Sequence, residues 1–352
     1  MLEIDGSMYE GGGALLRVAT GLAVLTLKPI RVYNIRAKRP KPGLKAQHLA
    51  GLKATAALCK GELKGAALGS REIELRPGEI TERELTITIP TAGSIGMILQ
   101  VLQLASVFAR KPVDIMVIGG ADFGKWAPPI PYLQNIALPT FEKMGYKIEL
   151  KTIRHGFYPV GEGKTEIKIW PVTSLKALAL EEQGTLKELT GISIAAKQLE
   201  RAKVADRQAA AATELLQREL KITPDIKIVY CEAACPGSGL VLWAKTDTGV
   251  RLGSDVIGER GIRSETLGEL AAKRLVGLIK AGATVDAHLS DMLIPFMALA
   301  SGRSIIKPPQ LTLHARTNIW ITERFLPVKF EIKENKPIEI AVNGAAFSPK
   351  RS

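Results

Sequence analysis

The chain has 352 residues, 46% hydrophobic and 24% charged, with a net charge of +13. It is long enough for one large domain or two ordinary ones, and too apolar to be a disordered chain. No apolar run reaches the roughly 18 residues of a membrane span, MLEIDGS lacks the basic and apolar regions of a signal peptide, and three cysteines make no disulfide framework. The expected location is therefore the cytoplasm, with no membrane partner, and the sequence points to no particular oligomeric state.

The positive charge is concentrated early. Residues 1–60 hold ten Lys or Arg against three acids, over half the net charge. Near the start, EGGGALLR (Glu10–Arg17) places Gly11, Gly12 and Gly13 between a carboxylate and an apolar stretch that reads as a helix. Free amides at a helix start, with no Cβ in the way, form an anion site. The pattern is neither GxxxxGK[ST] nor GxGxxG, so no nucleotide fold follows from it. Glu10 would repel a phosphate unless a divalent cation lay between them; it reads either as a metal ligand or as a cap of the helix N-terminus.

A strand-like IRVYNI comes next, then RAKRPKPGLK (Arg36–Lys45), with five cations and no acid. Two prolines and a glycine make this a stiff loop. It is held between that strand and a helix-like segment containing Gln47 and His48. This favours a phosphate-binding rim, formed by Arg36, Lys38, Arg39 and Lys41, over a solvated tail.

The chain then repeats itself. GALLRVATGLAVLTLKPIRVYNI and GMILQVLQLASVFARKPVDIMVIG align at an offset of 83, matching Gly13 with Gly96, Lys28 with Lys111 and Pro29 with Pro112. A weaker third copy is DMLIPFMALASGRSIIK, at an offset of 192 from the second. Under these offsets Arg17, Gln100 and Met292 are equivalent. Arg and Gln are poor core residues, so the equivalence predicts a shared cleft rather than a shared core layer. Alternating strands and helices predict an α/β (α+β) class with helices on a sheet face. HGFYPVGEGKTEIKIWPV (155–172) reads as the strand pair of a further unit.

Between Lys125 and Leu133, KWAPPIPYL forms an aromatic and proline wall containing Pro128. Residues 184–280 differ in character: helical from Lys187 to Leu220, then a strand, the glycine-rich turn PGSG, another strand and a helix. They read as a small α/β domain inserted into a larger one made of residues 1–183 and 281–352. Cys231 and Cys235 have no further His or Cys nearby and read as packing residues. His288 and Asp291 share a helix face. LTLHARTNIWIT alternates like a strand, and spacing alone does not mark His314 as catalytic.

Taken in order, IDGSMYEGGGALLR, IRAKRPKPGLKAQHL, TAGSIGMILQ, RHGFYPVGEG, DAHLSDMLIPFMALASG and HARTNIWITERFLPVKF resemble RNA 3'-terminal phosphate cyclases over nearly the whole chain. The resemblance implies repeated βαβαββ units, like the C-terminal domain of a translation initiation factor and related to enolpyruvyl transferases, with a small inserted domain. It implies conversion of an RNA 3'-phosphate to a 2',3'-cyclic phosphate, using ATP and Mg²⁺ or Mn²⁺. By resemblance His314 is the nucleophile that takes AMP, and Glu10 is the metal ligand. Arg17, Arg36, Arg39, Gln47 and Gln100 serve the phosphates and the RNA end, with His48 adjoining them. Pro128, His288 and Asp291 line the nucleotide pocket. Two positions depart from the family pattern: Ala14 stands where Gln is usual after EGGG, and Met292 where Gln follows the Asp of the late helix. Two other readings share the fold: a cyclase-like RNA-binding or ribosome-assembly protein without the chemistry, and an enolpyruvyl-transferase-like enzyme. Glu10 and His314 count against the first, and the basic loop counts against the second.

Overall fold

The computed structural model describes residues 1–125 and 127–349. The chain folds by repetition. Strand β1 (Leu2–Asp5), helix α1 (Gly13–Thr26), β2 (Ile30–Tyr33), α2 (Ala46–Leu58), β3 (Glu62–Lys64) and β4 (Ile73–Arg76) form a first unit. Its sheet order is β1-β2-β4-β3, with β1 and β2 parallel and the other pairs antiparallel. A second unit follows: β5 (Glu84–Ser94), α3 (Ile95–Ser106), β6 (Val113–Ala121), the helical stretch α4 (Ile130–Tyr132), π-turn Leu133–Ala137 and α5 (Leu138–Lys143), then β7 (Lys147–Arg154) and β8 (Lys164–Trp170). Its order, β5-β6-β8-β7, has the same pattern of parallel and antiparallel pairs. Segment 155–172 therefore supplies one strand, β8, whose hairpin partner β7 precedes it. His155 follows a strand, where its Nδ1 pairs with the buried Asp122 carboxylate at 2.5 Å.

The next strands form a separate sheet. They are β9 (Leu186–Ala196), β10 (Asp225–Cys231), β11 (Ser238–Thr246) and β12 (Arg251–Ile257), in the order β10-β9-β11-β12, accompanied by α6 (Val204–Leu220) and α7 (Ser264–Lys280). The expected helix over 187–220 is thus a strand followed by a helix. The run LTGISIAA is β-branched and alternates, and Ser193 buries its hydroxyl against Ala205 O at 2.9 Å. The glycines of PGSG have a packing reason. A Cβ on Gly237 or Gly239 would overlap Phe157 or Phe123, whose stacked rings lie 5.6 Å apart against β11.

The chain returns through α8 (Ala287–Leu299), β13 (Ser301–Ile306), α9 (Leu313–Phe325), β14 (Phe330–Lys333) and β15 (Glu339–Ala345), with sheet order β13-β15-β14. Lys176 and Ala179 bridge in parallel to Ser301 and Ile305. Segment 176–179 therefore takes the place of the first strand, and a third βαβαββ unit is complete. The residues from β9 to α7 interrupt it between that strand and α8, where the first unit carries EGGG.

Helix α1 is buried along nearly its whole length, Arg17 and Thr26 excepted. A helix apolar all round belongs at the centre of a fold, and α1 lies against α2, α3 and α9. A Cβ on Gly21 would meet Leu104 at 2.8 Å, so this glycine sets how closely α1 and α3 approach. Lys28, from the repeated Lys-Pro, donates to Phe325 O at 2.9 Å at the C-terminal end of α9, where a cation is favourable. Asp286 caps α8 by accepting from Leu289 N at 3.0 Å, and also accepts from Tyr132 Oη at 2.6 Å and Gly253 N at 3.0 Å. One buried carboxylate thus joins α8, α4 and β12. Asp286→Ala strands these donors and is expected to cost about 3 kcal/mol, lowering the thermal midpoint by several degrees. A calorimetric scan against Asp286→Asn, which keeps an acceptor oxygen, checks this; equal stability of Asp286→Ala and the parent would contradict it.

Candidate active site

Helices α1, α3, α8 and α9 line a cleft, open to solvent, whose walls include Arg17, Gln100, Pro128, His288, Asp291, Met292 and His314. The three positions equivalent in the repeat do converge: Arg17 Nε donates to Gln100 Oε1 at 2.9 Å, and Met292 lines the same space.

His314 reaches the cleft from a helix, not from the expected strand. Thr312 caps α9, its hydroxyl accepting from Ala315 N at 2.8 Å. Buried positions Ala315, Asn318, Ile319, Thr322 and Phe325 recur at helical spacing. Two neighbours of His314 in HARTN, Thr317 and Asn318, lock α9 in place; the sequence marked the motif without giving either residue a role. Thr317 accepts from Glu10 N at 3.2 Å while donating to Leu313 O at 2.7 Å. Asn318 solves a problem created by Pro295 within α8. A proline has no N–H for the carbonyl four residues back, and Asn318 Nδ2 donates to that carbonyl, Asp291 O, at 2.7 Å. The signal was present in sequence: a proline inside an apolar helix leaves a carbonyl seeking a donor.

The three glycines after Glu10 make room for side chains. Gly11 has φ +60°, and a Cβ there would lie 2.7 Å from the Lys38 chain. A Cβ on Gly12 would overlap the Glu10 carboxylate, which folds back over the turn, and one on Gly13 would overlap the His48 ring. The basic loop closes on this turn. Lys38 Nζ donates to Tyr9 O at 2.8 Å, and Arg39 ion-pairs with Glu10. Arg36 is spent on its own loop, donating to Lys41 O at 2.9 Å and Gly43 O at 2.7 Å. Lys41 is exposed; neither it nor Lys38 nor Arg36 lines the cleft. Gln47 accepts from Ser94 N at 3.0 Å, bracing the turn into α3. His48 Nδ1 accepts from Lys45 N at 3.3 Å, which leaves its Nε2 as the protonated nitrogen facing Gly13 and Arg17. Trp126, from the aromatic wall, lies outside the described residues, as do residues 350–352 of the segment read as 281–352.

Electrostatics follow from this crowding. Loss of solvent pulls Arg17 down to about 10, with Asp291 opposing the shift. Burial, then Arg17, Arg36, Lys45 and Arg39, pull His48 down to about 3. Burial, then Arg17, Arg39 and His288, pull His314 down to about 4. Both imidazoles are neutral at physiological pH. Asp291 moves the other way: burial raises it to about 7, although Thr312 Oγ1 donates to it at 2.6 Å.

His314 Nδ1 lies 3.9 Å from Glu10 Oε2, beyond hydrogen-bond reach. The Glu10 side chain is 7% exposed, and neither of its oxygens accepts a hydrogen bond. A buried carboxylate whose cationic partner is Arg39 would fit a hard divalent cation only if that ion took Arg39's place and completed its shell with phosphate and water oxygens. Among the described residues no group of three or more His, Cys, Asp or Glu could hold an ion unaided, so such an ion would depend on the bound phosphates. Among the described residues no helix is long and apolar enough to cross a membrane.

Gly13→Ala forces His48 and Arg17 apart. It is expected to lower affinity for inorganic tripolyphosphate at least tenfold while leaving the fold intact; titration calorimetry with circular dichroism checks this, and unchanged affinity would contradict it.

The family model for RNA 3'-terminal phosphate cyclase matches residues 8–332. A Methanopyrus kandleri protein of that name is 42% identical over 349 residues, covering 97% of this chain and 98% of its own. A Pyrobaculum aerophilum protein of that name is also 42% identical, with 99% of each chain covered. One from Pyrococcus furiosus is 40% identical over 333 residues, 95% of each. The chain belongs to the RNA 3'-terminal phosphate cyclase family.

Proposed function

We propose that this protein converts an RNA 3'-terminal phosphate to a 2',3'-cyclic phosphate at the expense of ATP, through AMP carried on His314. The observation that supports this best is a neutral imidazole in a cleft walled by a desolvated guanidinium, with a buried carboxylate beside it. The relatives' shared name supports the substrate class.

The chemistry suits these groups. A neutral imidazole nitrogen attacks the α-phosphorus of ATP; the N–P bond forms and the bond to pyrophosphate breaks. An oxygen of the RNA 3'-phosphate then attacks that phosphorus, the N–P bond breaks, and AMP passes to the RNA end. The 2'-hydroxyl finally attacks the 3'-phosphorus and expels AMP, closing the ring and releasing the hydroxyl proton. Splitting one displacement into three lets each step use a good leaving group. Arg17, positioned by Gln100, stabilises charge on the α-phosphoryl oxygens. Arg39 faces Glu10 at the mouth, where Lys38 and Lys41 offer cations to the RNA backbone. Gln47 and His48 hold the turn that carries Arg17's neighbours. A divalent ion on Glu10 would neutralise the pyrophosphate as it departs. Asp291, near its titration point, and His288 stand beside the ribose and base. We assign this chemistry to residues 1–183 and 281–352, and treat 184–280 as an inserted domain outside it.

Incubation with ATP labelled at the α-phosphate and Mg²⁺ or Mn²⁺ is expected to label the protein covalently. His314→Asn is expected to take no label, and Arg17→Ala about 10²–10³ times less. Equal labelling of His314→Asn would overturn the assignment of the nucleophile.

A further inference from the structure

Inward from Arg17 and His314 the cleft wall turns apolar, through Val18, Leu104, Met292, Pro295 and Phe296. On α3 one side chain at this depth breaks the pattern. Gln103 lines the cleft, yet is 1% exposed, and its Oε1 accepts no hydrogen bond. It stands three residues beyond Gln100 on α3, about 4.5 Å further along the axis. A buried amide oxygen without a donor costs about 1–3 kcal/mol, and a leucine at this point would continue the apolar wall without that cost. The backbone here is already anchored, since Tyr146 Oη donates to Gln103 O at 2.6 Å; the side chain is not needed for that. Ser106 and Ser290, the other unpartnered side chains on α3 and α8, are hydroxyls that a rotation brings onto their own helix. Neither lines the cleft.

We propose that Gln103 reads the base of the bound nucleotide. The inference rests on the nucleotidyl-transfer reading above, in which the α-phosphate lies at His314 and the base extends along the apolar wall. A primary amide pairs with adenine by accepting from the exocyclic amine and donating to the adjacent ring nitrogen. Two buried amides line the cleft with an unpartnered oxygen, Gln103 and Asn318; Asn318 is held on α8 by its bond to Asp291 O, which leaves Gln103 as the one beside the apolar wall, where Met292, Pro295 and Phe296 offer surfaces for the ring faces. The nucleotide supplies the donor that the folded chain lacks, and Gln103 selects a base carrying an amine.

Binding to the full chain, measured by titration calorimetry with Mg²⁺, tests this with three probes: ATP, purine riboside 5'-triphosphate (which lacks the amine) and inorganic tripolyphosphate. The parent protein is expected to bind ATP about 10- to 100-fold more tightly than purine riboside triphosphate. Gln103→Leu is expected to bind both alike, at the weaker affinity, and to bind tripolyphosphate as the parent does. The proposal is overturned if the parent does not distinguish the two nucleotides, if Gln103→Leu keeps the preference, or if the variant loses tripolyphosphate to the same extent. The parent comparison decides the matter alone should the variant fail to fold. ATP preference without covalent label on His314 would leave this inference standing and overturn the cyclase mechanism.

Discussion

A guanidinium withdrawn from water where three repeat-related helices meet sets the terms for this site. Arg17 sits on a helix buried along nearly its whole length, tied to Gln100 across α1 and α3. Its charge and the surrounding burial act together on the imidazoles nearby, holding His48 and His314 neutral. The same crowding dictates Gly13, because His48 occupies the space a side chain there would need. A cation that burial has made costly to keep, beside neutral nitrogens, favours an incoming polyanion. The fold thus tolerates a strained electrostatic arrangement, which the proposed triphosphate would relieve.

How α9 is held shows how few contacts position His314. Thr312 caps the helix and binds Asp291, Thr317 holds the Glu10 turn, and Asn318 repairs the gap left by Pro295. These three residues link His314, the glycine turn and α8 into one frame. At the cleft Arg17, Gln100 and Met292 present unlike side chains from like positions of the repeat.

Much of the architecture could be read from the repeat alone. The offset of 83 matched Gly13 with Gly96 and Arg17 with Gln100, and the structure turns the first pair into two helix starts and the second into a hydrogen bond. The third unit was faint because the β9–α7 segment separates its first strand from α8, so that neighbours in space lie far apart in sequence. His314 was misplaced on a strand because Leu311, Leu313, Ala315 and Ile319 mimic alternation locally; only the cap at Thr312 and the burial of Thr322 and Phe325 reveal the helical period. The glycines after Glu10 were read as space for a ligand. Beside them lie Glu10, from the same turn, and Lys38 and His48; the last two no local pattern could show, because they come from the basic loop and α2. Gln103 escaped notice for a related reason: an unpartnered amide can be recognised only once its surroundings are known.

The most direct test of this account is the titration of His314 itself, followed by nuclear magnetic resonance of ¹³C-labelled histidine, with His314→Asn used for assignment. Arginines and burial oppose protonation, so the folded ring gains its proton only as pH falls toward about 4, well below the roughly 6.5 of a free imidazole. Because the unfolded chain takes that proton earlier, folding stability falls as pH drops from about 6.5 toward 4. The account predicts a ring still neutral at pH 5.5; a midpoint near 6.5 would contradict it.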